Sequence, residues 1–378
     1  MKFKNLICLV IIITLFSCNS QVAKEEIPQE PKNVILLIGD GTGLSQISSA
    51  FFFKETDPNY ARFKQIGLIN TSSSREDITD SAAGATAFAS GIKTYNGAIG
   101  VADDSTHVPT LIEIAAKQNI KTGLISTSSI THATPASFYA HTISRGLQEE
   151  IAAYMVTSNV DFVAGGGTKF FNNRKDGRNL LTELEAKAYT IDTTALGNFA
   201  SIQEYSKVAY FLAENHMQPV AKGRGDFLPK ATELGIQYLN ARAKENSSSF
   251  FMMVEGSQVD WGGHANDADY LISELIDFDD AIGKALDFAE KDGNTLVIVT
   301  ADHETGGFTL ASTPKTNAEG KSYSDYNEIT GSFSTGGHSA TLIPVFAYGP
   351  GAEAFSGVYE NNEIFHKILE LTNWDKEK

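Results

Sequence analysis

Short apolar runs recur along the chain, each bounded by Gly, Asp, Ser or another polar residue. They lie at 34–38, 67–70, 122–126, 162–164, 250–254, 296–299 and 344–348. They are rich in Val, Ile, Leu and Phe and do not alternate with polar residues, the pattern of strands covered on both faces. Longer segments between them carry apolar residues at helical spacing: 108–118, 230–244 and 270–291. The last is the clearest, with Leu271, Leu275, Phe278, Ile282, Leu286 and Ala289 along one face. Strands alternating with helices predict an α/β fold, a three-layer sandwich with a central, mainly parallel sheet and helices on both faces. No strong boundary interrupts residues 33–378, which read as a single domain. The polar, Gly- and Ser-rich stretch at about 304–337 reads as a short excursion from it.

The start of the chain departs from this pattern. Lys2 and Lys4 precede an apolar run over 6–16, too short to span a bilayer, that closes on Leu15-Phe16-Ser17-Cys18. This is the form of an export signal over 1–18. A Cys at the cut position makes it resemble a bacterial lipoprotein signal, with lipid on Cys18 anchoring an exported chain in the periplasm or at the cell surface. An ordinary signal peptide with a coincidental Cys is the alternative. Residues 19–32 are polar and contain two prolines, as in a flexible tether. The two Cys stand at positions 8 and 18, so no disulfide can form in the folded part. The net charge of −16, from 46 acidic and 30 basic residues, argues against nucleic acid and anionic membrane as partners. Lipid on Cys18 would then be the only tie to a membrane.

Candidate chemistry gathers just after the apolar runs, where sites form in open α/β sheets. Asp40 follows the first run, Glu255 and Asp260 the run at 250, and Asp302 and His303 the run at 296. Three of the eight His lie in Gly-rich or acidic settings: Asp260-Trp-Gly-Gly-His264, Asp302-His303 and Gly336-Gly337-His338. Asp with His and no Cys is the donor set expected for zinc in an exported hydrolase. Taken singly, each of these is equally a surface or capping residue. A Glu directly after an apolar run is partly buried and needs a cation or a donor beside it.

The segment Thr79-Asp80-Ser81-Ala82-Ala83-Gly84-Ala85-Thr86-Ala87 reads as a loop entering a helix of small residues. Ser81 would sit at the helix N-terminus, where backbone N–H groups favour an anion, or would simply cap the helix. Arg145 could grip two phosphate oxygens with its planar guanidinium, or lie on the surface of a helix.

Together these residues resemble the successive motifs of the alkaline phosphatases. They are Asp40 in GDGTG, Ser81 in TDSAAGATA, His132 and Thr134 in THATPASF, and Arg145. After these come Glu255, Asp260 and His264 in VEGSQVDWGGHA, Asp302 and His303 in TADHETGG, and His338 in GGHSATLIPVFAYGP. The resemblance runs in the family's order over about 33–352. It implies hydrolysis of phosphate monoesters to alcohol and inorganic phosphate through a phosphoserine on Ser81, with two zinc ions and one magnesium ion. One zinc would be held by Asp260, His264 and His338, and the other by Asp40, Asp302 and His303. The magnesium would lie among Asp40, Thr134 and Glu255, and Arg145 would bind the phosphoryl oxygens. His132 and Trp261 stand where some members carry Asp and Lys, beside the bound phosphoryl group. His132 can reach the third cation and change which ion it prefers, and Trp261 lacks the charge of Lys. The family also implies a homodimer, although 304–337 is short for a large dimer-crowning insertion. Two alternatives remain at this level: a phosphodiesterase or phosphonate hydrolase of the same superfamily, and a lipoprotein that only captures phosphate or zinc.

Overall fold

The computed structural model describes residues 31–376. The expected export signal, Cys18 and most of the expected tether lie outside the described residues. A ten-stranded sheet forms the centre. Its order is Gly357–Glu360, Gln65–Asn70, Ile343–Tyr348, Thr295–Thr300, Asn33–Gly39, Phe250–Gly256, Lys121–Ser129, Phe162–Gly166, Lys207–Phe211 and Tyr189–Asp192. Neighbours are parallel except for Ile343–Tyr348, which runs antiparallel to both strands beside it.

All seven expected apolar runs are strands. Alternate residues of Asn33–Gly39 serve opposite faces. Val34, Leu36 and Ile38 pack with Phe88, Leu111, Ile151 and Ile368, while Ile35 and Leu37 pack with Leu239, Phe278, Ile282 and Leu286. Two cores therefore flank one sheet, the three-layer arrangement that strands apolar on both sides require. Burial of each such side chain contributes roughly 2 kcal/mol. The three helical patterns correspond to Leu111–Lys117, Phe227–Glu245 and Ala268–Asp292. The last starts at Asp267, whose side chain accepts from the Tyr270 N–H, and stops at Gly293 in the left-handed region. No helix among the described residues is long and apolar enough to cross a membrane.

The register lines up the carboxyl ends of the central strands. Ile38 pairs with Glu255 on one side and Thr300 on the other, and Ser126 pairs with Glu255 across the next strand. Asp40, Glu255 and Asp302 thus reach one edge. The stretch 304–337 forms an exposed antiparallel hairpin of Thr309–Thr316 and Ser322–Ser332. Its base is closed by Glu304–Thr305 pairing with His338–Ser339, which returns the chain to the same edge.

Candidate active site

The turn after Asn33–Gly39 sets the first donor. Gly41 has φ +69°, and a Cβ there would stand 2.7 Å from the Asp260 Cα and 2.8 Å from the Thr305 Oγ1. Only glycine lets this turn press against both elements. Asp40 beside it is fully buried, and neither of its carboxylate oxygens has a hydrogen-bond partner. Asp302 accepts from the Gly41 and His303 N–H groups through Oδ1, and its Oδ2 is buried without a partner. Glu255 accepts from Ser126 at 2.5 Å and Ser257 at 2.7 Å through Oε2, leaving Oε1 unpaired. Burial, and then the neighbouring carboxylates Asp302, Asp260 and Glu255, push Asp40 well above the usual carboxylate range. Burial likewise raises Asp302, and raises Glu255 to about 7 against the hydroxyls of Ser126 and Ser257. Buried acids this close need positive charge among them.

The histidines present bare nitrogens to these acids. His264 Nδ1 donates to the Gly336 carbonyl and His338 Nδ1 to the Thr79 carbonyl, both at 2.8 Å. Their Nε2 atoms therefore carry lone pairs, yet they face each other at 3.2 Å. Asp260 Oδ1 lies 3.4 Å from one and 3.8 Å from the other. Two lone pairs and a carboxylate aimed at one point form a donor set for a cation. Asp260 and His264 come from one turn of the helix Gln258–His264. The His303 ring stacks 3.5 Å from His338. Thr305 Oγ1 donates to Asp260, so His303 Nδ1 donates to Thr305 and its Nε2 is free. That nitrogen lies 3.5 Å from both Asp40 Oδ1 and Asp302 Oδ2 and 3.3 Å from the Ser81 Oγ. Burial pushes this imidazole down to about 3, so it stays neutral and able to ligate.

A third group joins Asp40, Glu255 and His132. The Thr134 Oγ1 and His132 Nδ1 are buried without partners. Among the described residues, three sets of side chains are close enough to hold an ion: Asp260 with His264 and His338, Asp40 with Asp260 and His303, and Asp40 with His132 and Glu255. The orphaned atoms of Asp40, Asp302, Glu255, Thr134 and His132 all belong to residues singled out in the sequence. The burial of these oxygens without hydrogen bonds is what cations in all three places would explain, and His132 Nδ1 joins them as a lone pair in the tautomer that gives up the hydrogen bond from Arg145.

Ser81 opens the helix Ser81–Ser90 but does not cap it. Asp80 does, its Oδ1 accepting from the N–H groups of Ala83 and Gly97, each at 3.0 Å. This leaves the Ser81 hydroxyl free to face His303. A Cβ at Gly84 would meet the Asp302 Cβ at 2.9 Å, so the small residues of this helix are what bring Ser81 against the acids. Arg145 lies in a turn before the helix Gln148–Met155, not on a helix as one reading of the sequence had it. Its backbone N–H donates to the Gly97 carbonyl and its Nη1 to Asp80 Oδ2 at 3.0 Å. Asp80 thus orients both Ser81 and Arg145, a role that local spacing does not reveal. Arg145 Nη2 lies 3.3 Å from His132 Nε2. Trp261 packs edge-on against His132 with ring centres 6.0 Å apart. His216, unassigned in the sequence, packs edge-on against both. Burial, and then Lys169, hold His216 below the ordinary histidine range.

A model of the alkaline phosphatase family matches residues 31–325. The chain is 33% identical to alkaline phosphatase 3 of Bacillus subtilis, over 94% of this chain and 92% of that one. It is 30% identical to the alkaline phosphatase of Escherichia coli, over 89% of this chain and 85% of that one. Among solved structures, the alkaline phosphatase from the Antarctic bacterium TAB5 superposes with a TM-score of 0.89 at 63% identity, covering 92% of this chain and 100% of that one. A histidine-to-aspartate mutant of the TAB5 enzyme has magnesium bound in a site designated M3. Similarity of this extent, in sequence and in structure, places the chain in the alkaline phosphatase family.

Proposed function

We propose that this phosphatase cleaves phosphate monoesters through a covalent phosphoserine on Ser81. The reading rests above all on the Ser81 hydroxyl lying 3.3 Å from His303 Nε2, within a ring of buried donor atoms that lack partners. Asp260, His264 and His338 would hold one zinc ion, and Asp40, Asp302 and His303 a second. Asp40, Thr134 and Glu255 would hold a third cation, magnesium in the first instance, with His132 close enough to add nitrogen and favour zinc. Bound there, the cations supply Lewis-acid charge that eases ionisation of the serine hydroxyl and of water and stabilises the departing alkoxide.

The chain's own groups do the rest. Ser81 Oγ forms a bond to phosphorus as the ester P–O bond breaks and the alcohol leaves with a proton. Water then displaces Ser81, releasing inorganic phosphate and restoring the hydroxyl. The phosphoryl oxygens meet the guanidinium of Arg145, which Asp80 holds in place, and the N-terminus of the helix Ser81–Ser90. Trp261 and His132 wall the phosphoryl group without adding a fixed positive charge.

A diester offers Arg145 one anionic oxygen fewer and must fit a second substituent against it. Initial rates on a nitrophenyl phosphate should exceed those on the matching bis-ester by roughly a hundredfold or more. A preference for the bis-ester would overturn the monoesterase reading.

The chain is also proposed to be an exported lipoprotein, on the strength of the segment ending at Cys18. The full chain expressed in a bacterial host should partition into detergent, and Cys18→Ser should move it to the aqueous phase. Equal partitioning of the two would exclude the anchor.

A further inference from the structure

We infer that His216 is a positioning residue of this site, fixing the orientation in which His132 faces Asp40 and Glu255. The inference rests on the third-cation reading above. His216 belongs to none of the three candidate cation groups. It arrives on segment 212–226, which is mostly irregular, between the strand Lys207–Phe211 and the helix Phe227–Glu245.

That segment is pinned along its length. The Leu212 N–H donates to the Gly165 carbonyl, and the Gly167 and Thr168 N–H groups donate to the Ala213 carbonyl. The Gln258 amide donates to the Met217 carbonyl at 2.9 Å, from the same helix that carries Asp260 and Trp261. Further on, the fully buried Arg224 side chain binds Glu274 at 2.5 Å and Asp277 at 2.7 Å. Burying such a cluster is expensive in desolvation, and removing one partner would strand the others. The end of the strand Phe162–Gly166 is shaped to admit the segment. A Cβ on Gly166 would stand 2.2 Å from the Asn215 carbonyl oxygen and 3.2 Å from the His216 Cα.

Once delivered, the ring is locked. The Ser129 N–H donates to His216 Nδ1 at 3.1 Å, so the ring proton sits on Nε2. The ring packs edge-on against Trp261, with centres 4.8 Å apart and planes at 74°, and against His132 at 5.5 Å and 88°. His132 is itself lightly held. Its ring has one polar contact, Nε2 to Arg145 at 3.3 Å, and its Nδ1 has none. The χ2 torsion of histidine is broad, so packing must decide which nitrogen faces the acids. His216 and Trp261, packed against each other, provide that packing as a pair of adjoining ring edges.

The test uses the holoenzyme and its His216→Ala and His216→Phe variants. Each is equilibrated at graded free magnesium and, separately, graded free zinc, and the cation content per chain is read by elemental analysis. The Ala variant should bind the third cation about tenfold more weakly, as when the support of a ligating histidine is removed. It should keep the other two, which also reports that it is folded. The Phe variant preserves a ring edge and should recover most of the affinity. An Ala variant with unchanged third-cation affinity would overturn the inference, as would a Phe variant no better than Ala. A wild-type holoenzyme that takes up only two cations would overturn the third-site reading, and the inference with it.

Discussion

Replacing Ser81 with Ala is expected to lower phosphatase turnover by on the order of 10⁴-fold or more while leaving the chain folded and its cations bound. The expectation follows from how little else the hydroxyl does. The helix behind it is capped by Asp80, whose Oδ1 already accepts from Ala83 and Gly97. The polar contact found for Ser81 Oγ is with His303. Removing one buried oxygen should therefore leave stability almost unchanged, yet it removes the atom that would form the bond to phosphorus. Arg145 and the cations held by the acids would still gather a phosphate ester, so binding should survive better than turnover. Acid quenching of the wild-type enzyme with a labelled monoester should trap a phosphoprotein, and the Ala variant should trap none. Near-full turnover in the variant would remove Ser81 from the chemistry.

The second large effect should come from stripping the cations. Turnover should fall to background in a chelator and return with zinc plus magnesium. Full recovery with magnesium alone would contradict the two-zinc assignment. Stability should change as well, with a definite sign. In the cation-free chain, burial raises Glu255 from 4.5 to about 7 and raises Asp40 and Asp302 above 3.8. For these groups the folded state holds protons that the unfolded state has released. The stripped fold should therefore lose stability as pH rises from the unfolded carboxylate range through about 7. Glu255 alone would account for on the order of 3 kcal/mol. In the holoenzyme, cations replace those protons and the decline should vanish. Scanning calorimetry of both forms across this range provides the check. A stripped chain that keeps its activity, or whose Tm climbs with pH over this window, would count against the cation centre.

Two of the sheet strands that the sequence missed share a physical cause. Tyr189–Asp192 and Gly357–Glu360 are four-residue strands at the two edges of the sheet, the first partly and the second mostly exposed, and they leave no continuous apolar run. Lys207–Phe211 is different: its buried run over 208–211 is apolar throughout and longer than the run at 162–164, so this strand was legible in the sequence. Ser81 shows a different limit. Its segment announced a helix start, but whether Ser81 or Asp80 would cap it depends on Gly97 and Arg145, which lie elsewhere in the chain. His216 carried no local signal, because its significance comes from rings at 132 and 261.

What the sequence determined by itself is the covered sheet and the roster of donors. Runs such as 34–38 must be buried on both faces, and Asp40, Glu255 and Asp302, within three residues of the ends of such runs, must reach one edge of a parallel sheet. The tertiary structure alone decided how those donors meet. It set two lone-pair nitrogens of His264 and His338 at 3.2 Å, left both oxygens of Asp40 buried without hydrogen bonds, and turned Arg145 toward Asp80. Burial is imposed residue by residue and so leaves its mark in local composition. Coordination depends on separations of a few ångströms between segments that only packing brings together, and no spacing along the chain encodes them.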